Sequence, residues 1–480
     1  MTPQPAVLEN LTSRGFFVRY LMLLGGETFS KLCVTIAFVY LARVLSPDEY
    51  GIVELALSVT VFFVLSVESG MGLYGARVVA SDPARAASLV PQVMLLRILL
   101  AVPAFAAILG IASYFRADGL GILAVNGIAI LLTPLLTQWV FQGLHQMQWV
   151  ATGAAIRNAV FVALVLILVR PGSDIRLVAM AEVSGIAALA AFNTFLLNRR
   201  LHLRLQWQGL FPGTRRLFRD VWFMGLNDFT WACLWYSPAI IVGWVVVRDP
   251  EQVAWISASV RIVVALHTFV FLYFFNMLPG MARELAISVD AWRALVTRSM
   301  ANSLWPACLI ALGGTFAAPI LIPLLYGGPY VSAVLPFQIA VWMIPIAWFS
   351  GHFRFSLIAA GKQQWDFAAS TGSAAVTVTS AAVLGYQTGS VGAAAAIVLG
   401  GIVNTALAIA FANRHVGRLR IWVTTGPVLG VTAAGFAAGI IATKASGPLI
   451  GTVAACVPMA VVAARQRGEL IGLLRGSIRL

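Results

Sequence analysis

Four basic side chains lie inside long apolar stretches of the sequence, where charges are rare. They are Lys31, Arg97, Arg261 and Arg354. A charge at the centre of a membrane helix costs about 2.5–3.5 kcal/mol on insertion scales, so such residues are expected to face a partner or a water-filled interior. Arginine is suited to a water-filled interior that binds phosphate, because its fixed fork of donors matches phosphate oxygens and its charge does not titrate. The sequence therefore predicts a cationic cavity that binds a phosphate-bearing molecule.

Arg261 and Arg354 are the principal candidates for this cavity, because the sequence is apolar for a turn or more on both sides of each. Arg261 is predicted about two turns from the outer end of its helix, and Arg354 about two turns from the inner end of another. The sequence therefore does not place the two at one depth. A structural alternative, in which they pair with Asp228 or Glu182, stays open.

Three further basic residues complete the predicted cavity. Lys31 follows Glu27 by four residues, so the two share a helix face in the favourable order, and a purely structural pair is an open alternative. Arg97 lies within two turns of the cytoplasmic end of its helix, which favours a cavity position and snorkelling to the interface equally. Arg77 follows a glycine-rich segment that leaves its helix face undefined.

Carboxylates in apolar stretches are the candidates for binding protons or cations. We assign this role to Glu182, Asp228, Glu27 and Glu68. Glu68 lies fourteen residues after Glu54, which is nearly four helical turns, so these two share one face of their helix.

Motifs of enzymatic chemistry are missing from the sequence. It contains no glycine loop ending in Gly-Lys-Ser/Thr, no HEXXH, no nucleophile elbow and no CxxC. Its four cysteines lie in apolar stretches, and no metal-ligand spacing surrounds His267 or His352. The chain is therefore not expected to be an enzyme, nor to hold a cofactor or a metal ion.

The composition is that of a polytopic membrane protein. Of 480 residues, 60% are hydrophobic and 10% are charged, against about 45–50% and 25% in soluble domains. A net charge of +14 would suggest a nucleic-acid partner for a soluble protein. Here the basic residues cluster between apolar stretches, where they set membrane topology, so no nucleic-acid partner is expected.

Fourteen apolar stretches are long enough to cross a bilayer. With the N-terminus inside, 22 lysines and arginines fall in cytoplasmic segments and 6 in the short outside loops, which predicts both termini in the cytoplasm. The predicted spans are 20–42, 52–76, 89–112, 119–144, 152–169, 176–197, 221–247, 253–279, 299–325, 333–360, 366–386, 391–412, 425–443 and 448–464.

Two short sequence motifs that each occur twice indicate that the chain has two similarly oriented halves. Gly75–Arg77, after the second span, resembles Gly280–Arg283 after the eighth, and Gly143–Trp149 resembles Gly361–Trp365. Such repeats predict two pseudo-symmetric six-helix lobes around a central cavity, plus two C-terminal helices. The predicted boundaries are 1–198 for the N-terminal lobe, 199–219 for a basic cytoplasmic linker, 220–420 for the C-terminal lobe, and 421–480 for spans 13 and 14 with a basic cytoplasmic tail.

Four segments resemble one family of membrane transporters. The runs LARVLSPDEYGIVELALSV and GLYGARVVASDPARAASL resemble the first two helices of the O-antigen-type polysaccharide flippases, within the multidrug/oligosaccharidyl-lipid/polysaccharide exporter superfamily. FFNMLPGMAREL and FRFSLIAAGKQQW resemble the ends of that family's eighth and tenth helices. Many members carry an acidic residue early in the seventh span, where this sequence has Ser237-Pro238 and its nearest carboxylate is Asp228. A coupling role at that position is therefore open here.

This resemblance implies a function, a location and partners. Such flippases move a polyprenyl-pyrophosphate-linked oligosaccharide from the cytoplasmic to the periplasmic leaflet of the bacterial inner membrane, by alternating access between the lobes. The product feeds O-antigen, lipopolysaccharide or exopolysaccharide synthesis. The implied partners are the lipid-linked oligosaccharide, membrane lipids, and a polysaccharide polymerase with its chain-length machinery.

Two other functions stay open. One is a cation-coupled drug or small-molecule antiporter of the same superfamily. The other is a membrane polysaccharide polymerase or glycosyltransferase, which the short outside loops disfavour because such enzymes usually place their chemistry on a sizeable external loop or domain.

The uneven charge distribution makes the topology testable. A reporter fused after Leu480 is expected to show a cytoplasmic location, and one inserted at Gly327-Gly328 a periplasmic location. Paired alkaline phosphatase and fluorescent protein fusions would measure both sites. The opposite result at either site would contradict the fourteen-span topology.

Overall fold

The computed structural model describes residues 34–115, 120–199, 206, 208–419 and 421–465, and this part of the chain is helical without a β-strand. The helices are α1 Val34–Val44, α2 Pro47–Glu68, α3 Met71–Ser81, α4 Ala86–Phe115, α5 Leu120–Leu132, α6 Gln138–Gly143, α7 Met147–Leu168, α8 Arg176–Arg199, α9 Leu210–Ile240, α10 Pro250–Ile287, α11 Val289–Tyr326, α12 Val334–Ala340, α13 Met343–Ala359, α14 Gln363–Thr388, α15 Ser390–His415, α16 Ile421–Ser446 and α17 Pro448–Arg465.

The predicted all-helical membrane fold is confirmed. Within the described ranges, twelve helical segments are long and apolar enough to span a bilayer. Two shorter apolar helices, Val34–Val44 and Pro448–Val462, lie where the first and last spans were predicted. The predicted number of fourteen is therefore approximate, and the protein is a multi-pass membrane protein.

Several predicted spans are broken rather than continuous. The second span divides into α2 and α3, because Ser69 and Gly70 both take positive φ values, of 43° and 68°. The fourth span is interrupted by a 3₁₀ turn at Thr133–Leu135, which contains Pro134. Breaks of this kind leave backbone carbonyls without their helical donors, so side chains can bind there.

Polar caps fix the starts of the two longest helices. Asp249 accepts a hydrogen bond from the backbone N–H of Glu251 at the start of α10, over 2.9 Å. Ser288 accepts one from the N–H of Ala291 at the start of α11, over 3.0 Å. Because each cap satisfies a donor that the helix cannot, it fixes the residue at which the helix begins.

The chain forms two compact units. Unit 1 contains Thr60–Asp228 with α1, and unit 2 contains Ser46–Val59 with the described residues from Phe229 onwards. The first half of α2 thus belongs to unit 2, whereas the predicted N-terminal lobe places the whole helix with spans one to six. The predicted lobe boundaries remain a prediction.

Each unit has its own apolar core. In unit 1, Met71 and Val79 of α3 pack with Trp139 of α6 and Val221 of α9. In unit 2 the core is built around large aromatic side chains of α10, α11 and α13. They are Phe274, Trp292, Trp305, Phe316 and Phe353.

A close approach of two helices rests on Gly51 in unit 2. A methyl group added at Gly51 of α2 would overlap the carbonyl oxygen of Pro250, at the start of α10. Gly72 of α3 has no atom within 4 Å of the same position. Of these two glycines, packing therefore requires only Gly51.

We expect Gly51→Ala to lower the melting temperature by several degrees, because α2 must move away from backbone that cannot yield. Gly72→Ala is the matched control and should be neutral or slightly stabilising, since alanine favours a helix by about 1 kcal/mol over glycine. Thermal unfolding of both variants in the same detergent would measure this. Equal melting temperatures would show that the Gly51 contact is not tight.

Candidate functional site

Arg261 is paired, as the structural alternative allowed, and its role as a cavity cation remains a prediction. Its guanidinium forms an ion pair with Glu54 of α2. The Glu54 side chain is 6% exposed and that of Arg261 23% exposed. The alternative partners inferred from sequence, Asp228 and Glu182, were wrong. Glu54 is the partner because the close approach at Gly51 brings the first half of α2 against α10.

Three tyrosines surround this ion pair within unit 2. Tyr330 packs edge-on against Tyr50, with ring centroids 5.8 Å apart, and lies 5.5 Å from the ring of Tyr326. Tyr326 donates its hydroxyl hydrogen to the carbonyl of Ala258 over 3.1 Å. We call these five side chains the Glu54 cluster: Glu54, Arg261, Tyr50, Tyr326 and Tyr330.

The Glu54 cluster holds unused hydrogen-bonding capacity. The hydroxyls of Tyr50 and Tyr330 are buried and have no hydrogen-bond partner within the described part of the chain. A buried polar group without a partner costs about 1–3 kcal/mol. An oxygen-rich anion entering beside Arg261 would meet two ready donors, so the cluster suits an exchange of one anion for another.

Arg354 is likewise paired, with Asp366 of α14. Its Nε donates to Asp366 Oδ1 over 2.7 Å, and its terminal nitrogen lies 3.3 Å from both Asp366 Oδ2 and Ser370 Oγ. Asp366 is buried, and its place in the first turn of α14 adds the favourable field of a helix N-terminus. The structural alternative named the wrong partners for Arg354, because one turn of α14 presents the Asp366 carboxylate to α13.

Arg97 is buried rather than snorkelling, so that alternative was wrong. Its side chain is 2% exposed and donates to the carbonyls of Thr133 and Leu136, over 3.1 and 2.8 Å. These carbonyls are available because the chain breaks at the Pro134 turn. A third contact, of 3.9 Å, joins Arg97 to Glu68.

Glu68 and Asp228 form the acidic part of unit 1. The Glu68 side chain is 34% exposed, Asp228 is half-buried, and the two carboxylates interact electrostatically. They meet because Gly225 lets α9 approach the break in the second span, where a Cβ on Gly225 would lie 2.8 Å from the Cα of Ser69. Glu68 thus interacts with both Arg97 and Asp228.

Glu182 and Arg77 do not join either group. Glu182 of α8 forms an ion pair with Arg157 of α7, over 2.6 Å. Arg77 is exposed on α3. Glu27 and Lys31 lie outside the described residues.

Sequence reasoning missed the acidic partners and the tyrosines. Glu54 was noted for its helix face but not matched with Arg261, and Asp366 was not singled out. A usable signal existed for Asp366, since it is the first carboxylate after Arg354 and stands in the first turn of the next helix. Nothing in the sequence spacing marks Tyr326 or Tyr330 as neighbours of Glu54.

The geometry predicts strong coupling between Glu54 and Arg261. We expect Glu54→Ala and Arg261→Ala each to lower unfolding stability by about 3 kcal/mol, because each leaves a buried charge without its partner. The double variant should lose much less than the sum. Unfolding measurements on the four proteins in one detergent would give the coupling energy.

A matched control is the exposed pair Arg283–Glu284, with 64% and 24% of the side chains exposed. Its coupling should be below about 1 kcal/mol, as for other surface pairs. Additive effects at Glu54 and Arg261 would contradict a buried pair.

Solved structures share this fold over most of their length. The lipid II flippase MurJ, in an inward closed conformation, matches with a TM-score of 0.70 and 10% identity, over 94% of this chain and 100% of that one. An inward-facing multidrug resistance transporter of the MATE family in the MOP superfamily matches with a TM-score of 0.67 and 13% identity, over 81% and 94%. A MOP superfamily transporter from Pyrococcus furiosus matches with 0.58 and 12%, over 82% and 92%.

Sequence comparison adds the family. No curated protein sequence matches the chain. A family model described as "Polysaccharide biosynthesis protein" matches residues 19–285, which is more than half of the sequence. The matched region contains α2, both members of the Glu54–Arg261 pair, and the Glu68 and Asp228 carboxylates. The recognised resemblance is thus confirmed, and the chain belongs to the polysaccharide biosynthesis protein family, on a fold shared with MurJ and the MATE transporters.

Proposed function

We propose that the chain is a flippase for a polyprenyl-pyrophosphate-linked oligosaccharide, which it moves from the cytoplasmic to the periplasmic leaflet of a bacterial inner membrane by alternating access. The family and the fold support this class of function. The observation that carries the proposal is the pairing of Arg261 with the buried Glu54 carboxylate, beside two tyrosine hydroxyls that have no hydrogen-bond partner among the described residues. The product would supply surface polysaccharide synthesis and its polymerase.

Anion exchange is the proposed step at the Glu54 cluster. In the present conformation Glu54 neutralises Arg261, so a substrate phosphate must displace that carboxylate to bind. The phosphate offers more acceptor oxygens than a carboxylate, and the Tyr50 and Tyr330 hydroxyls can donate to them. Arg354 has the same relation to Asp366 and is proposed as a second phosphate-binding residue. Lys31 and Arg77 remain proposed cavity residues, while the burial of Arg97 supports a structural role.

Coupling to protons or cations is proposed for Glu68 and Asp228. Glu68 interacts with both Arg97 and Asp228, so these three groups together carry a net negative charge, and Glu68 is partly open to solvent. A proton or a monovalent cation would neutralise that charge. Glu182 is a weaker candidate, because Arg157 already neutralises it, and Glu27 remains a sequence prediction.

A drug or small-molecule antiporter is the second candidate function. The observation that favours it is the acidic Glu68–Asp228 pair, since cation-coupled export needs such a site. A polymerase or glycosyltransferase is disfavoured by the short connections between consecutive helices in the described ranges.

Mass spectrometry of co-purified lipids would discriminate between the first two functions. We expect the full chain, purified from its native membranes, to retain a pyrophosphate-linked glycolipid. A different multi-pass protein purified from the same membranes is the control. No glycolipid, together with cation-dependent drug efflux from vesicles, would support the antiporter instead.

The role of Arg261 is testable by surface polysaccharide export in a complementation assay, with membrane protein levels measured. We expect Arg261→Ala to stop export and Arg261→Lys to retain part of it, because lysine keeps the charge but loses the fork. One lost charge-assisted hydrogen bond lowers affinity roughly 10- to 150-fold.

The double variant Glu54→Ala/Arg261→Ala separates substrate binding from stability. It removes the unpaired charge that either single variant leaves buried, so the protein should be present at normal abundance. If Arg261 binds the substrate, export is still lost. Full export by this double variant would mean that Arg261 serves only to neutralise Glu54.

The proposed coupling site has its own matched pair of variants. We expect Asp228→Asn to abolish pH-driven transport into proteoliposomes while glycolipid retention persists. Asp220→Asn is the control, because Asp220 is exposed on the same helix and accepts a hydrogen bond from Tyr74 over 3.2 Å. Unchanged pH-driven transport by Asp228→Asn would remove this residue from the coupling mechanism.

A further inference from the structure

The first turns of α9 form an amphipathic segment, residues 210–224, ahead of the apolar span Gly225–Val246. One face packs into the core of unit 1 through Thr214, Leu217 and Val221, all of which are buried. The chain just before this segment is also tied down, since the N–H of Gln206 donates to the carbonyl of Ala87 over 2.9 Å. The segment is therefore held in a fixed orientation on unit 1.

The outward face of this segment carries a stripe of aromatic rings. Phe211, Phe218 and Trp222 are 74%, 48% and 51% exposed. At about 100° per residue these three positions fall within roughly 40° of one another around the helix. A row of large exposed rings on a fixed helix face indicates a surface that is covered by another apolar phase.

Arginines lie next to the aromatic stripe. Arg215 and Arg219 lie one turn apart along the helix, on the side next to the aromatic stripe. Arg216 lies further around the helix from the stripe. All three are exposed. Asp220 is the acidic residue of this segment, and it accepts a hydrogen bond from Tyr74. Another arginine, Arg85, interacts electrostatically with the same tyrosine. The outward face is therefore strongly basic.

The length of α9 sets the depth of these residues. The helix rises about 1.5 Å per residue, so Trp222 lies about 4.5 Å, and Arg219 about 9 Å, before the first residue of the span. The hydrocarbon core is about 30 Å thick and the whole bilayer about 40–45 Å, which gives each headgroup layer several ångströms. Trp222 then lies in the headgroup layer, and Arg219 lies just outside it, from where its long side chain reaches the lipid phosphates. Arg215 lies one turn further out.

We infer that Arg219, supported by Arg215 one turn further out, binds the phosphate groups of anionic phospholipids in the leaflet where α9 enters the membrane, with Trp222 in the headgroup layer beside it. Charge complementarity selects this occupant, since basic residues at a membrane surface attract anionic headgroups by about 1 kcal/mol each. Trp222 suits the same boundary, because its ring combines an apolar body with a polar N–H group. The site is separate from the Glu54 cluster and needs no transported substrate.

Native mass spectrometry of the full chain titrated with phosphatidylglycerol, and in parallel with phosphatidylcholine, tests this inference. We expect the wild-type protein to retain phosphatidylglycerol preferentially. Arg215→Gln/Arg219→Gln should bind it roughly 30-fold more weakly, from about 1 kcal/mol per arginine, with little change for phosphatidylcholine. Arg215→Lys/Arg219→Lys should keep most of the binding, because lysine preserves the charge.

The control is Arg170→Gln/Arg414→Gln, which removes the same charge from exposed positions on other helices and loops. It should retain phosphatidylglycerol as the wild type does. Lack of a phosphatidylglycerol preference in the wild type would overturn the inference, as would equal losses in the two glutamine variants. Since the wild-type preference and the lysine variant are measured separately, the test does not depend on the folding of one variant. Glycolipid retention is read in the same spectra, so a failure here is distinct from a failure of the flippase proposal.

Discussion

Charge neutralisation in an apolar environment is the constraint that organises this protein. Arg97, Arg261 and Arg354 lie in helices whose surroundings are hydrophobic, and each lies beside one carboxylate. The partners come from other helices, so each ion pair also fixes the packing of two helices. Because an unpaired charge in such a place costs several kcal/mol, these pairs restrict which helix arrangements are possible.

Helix breaks supply the positions that these pairs need. The turn at Pro134 frees two carbonyls for Arg97, and the left-handed residues Ser69 and Gly70 end α2 just after Glu68. Gly225 then allows α9 to approach that break, which brings Asp228 within electrostatic reach of Glu68. Proline and glycine in these spans therefore place charged groups as well as shape the backbone.

Much of the fold follows from composition and charge distribution, whereas the partners of individual side chains do not. Helix positions come from apolar length, and fourteen predicted stretches correspond in order to the apolar helices found. Glu54 and Glu68 were expected to share a helix face, but periodicity within one helix does not say which helix lies opposite. The pairing of Glu54 with Arg261 depends on a tertiary approach at Gly51, 210 residues earlier in sequence than Arg261. The snorkelling alternative for Arg97 failed for a similar reason, since it ignored the carbonyls exposed by a break in another helix.

The helix α2 connects the two groups of charges. Its Glu54 neutralises Arg261 in unit 2, and its Glu68, at the other end of the same helix, lies beside Arg97 and Asp228 in unit 1. Breaking the Glu54–Arg261 pair alone leaves two buried charges without partners. A phosphate that replaces Glu54 would neutralise Arg261 but leave the Glu54 carboxylate charged. Protonation or cation binding would be needed for the released carboxylate. Under the proposed anion exchange, phosphate binding at Arg261 would therefore have to be accompanied by neutralisation of the released Glu54 carboxylate.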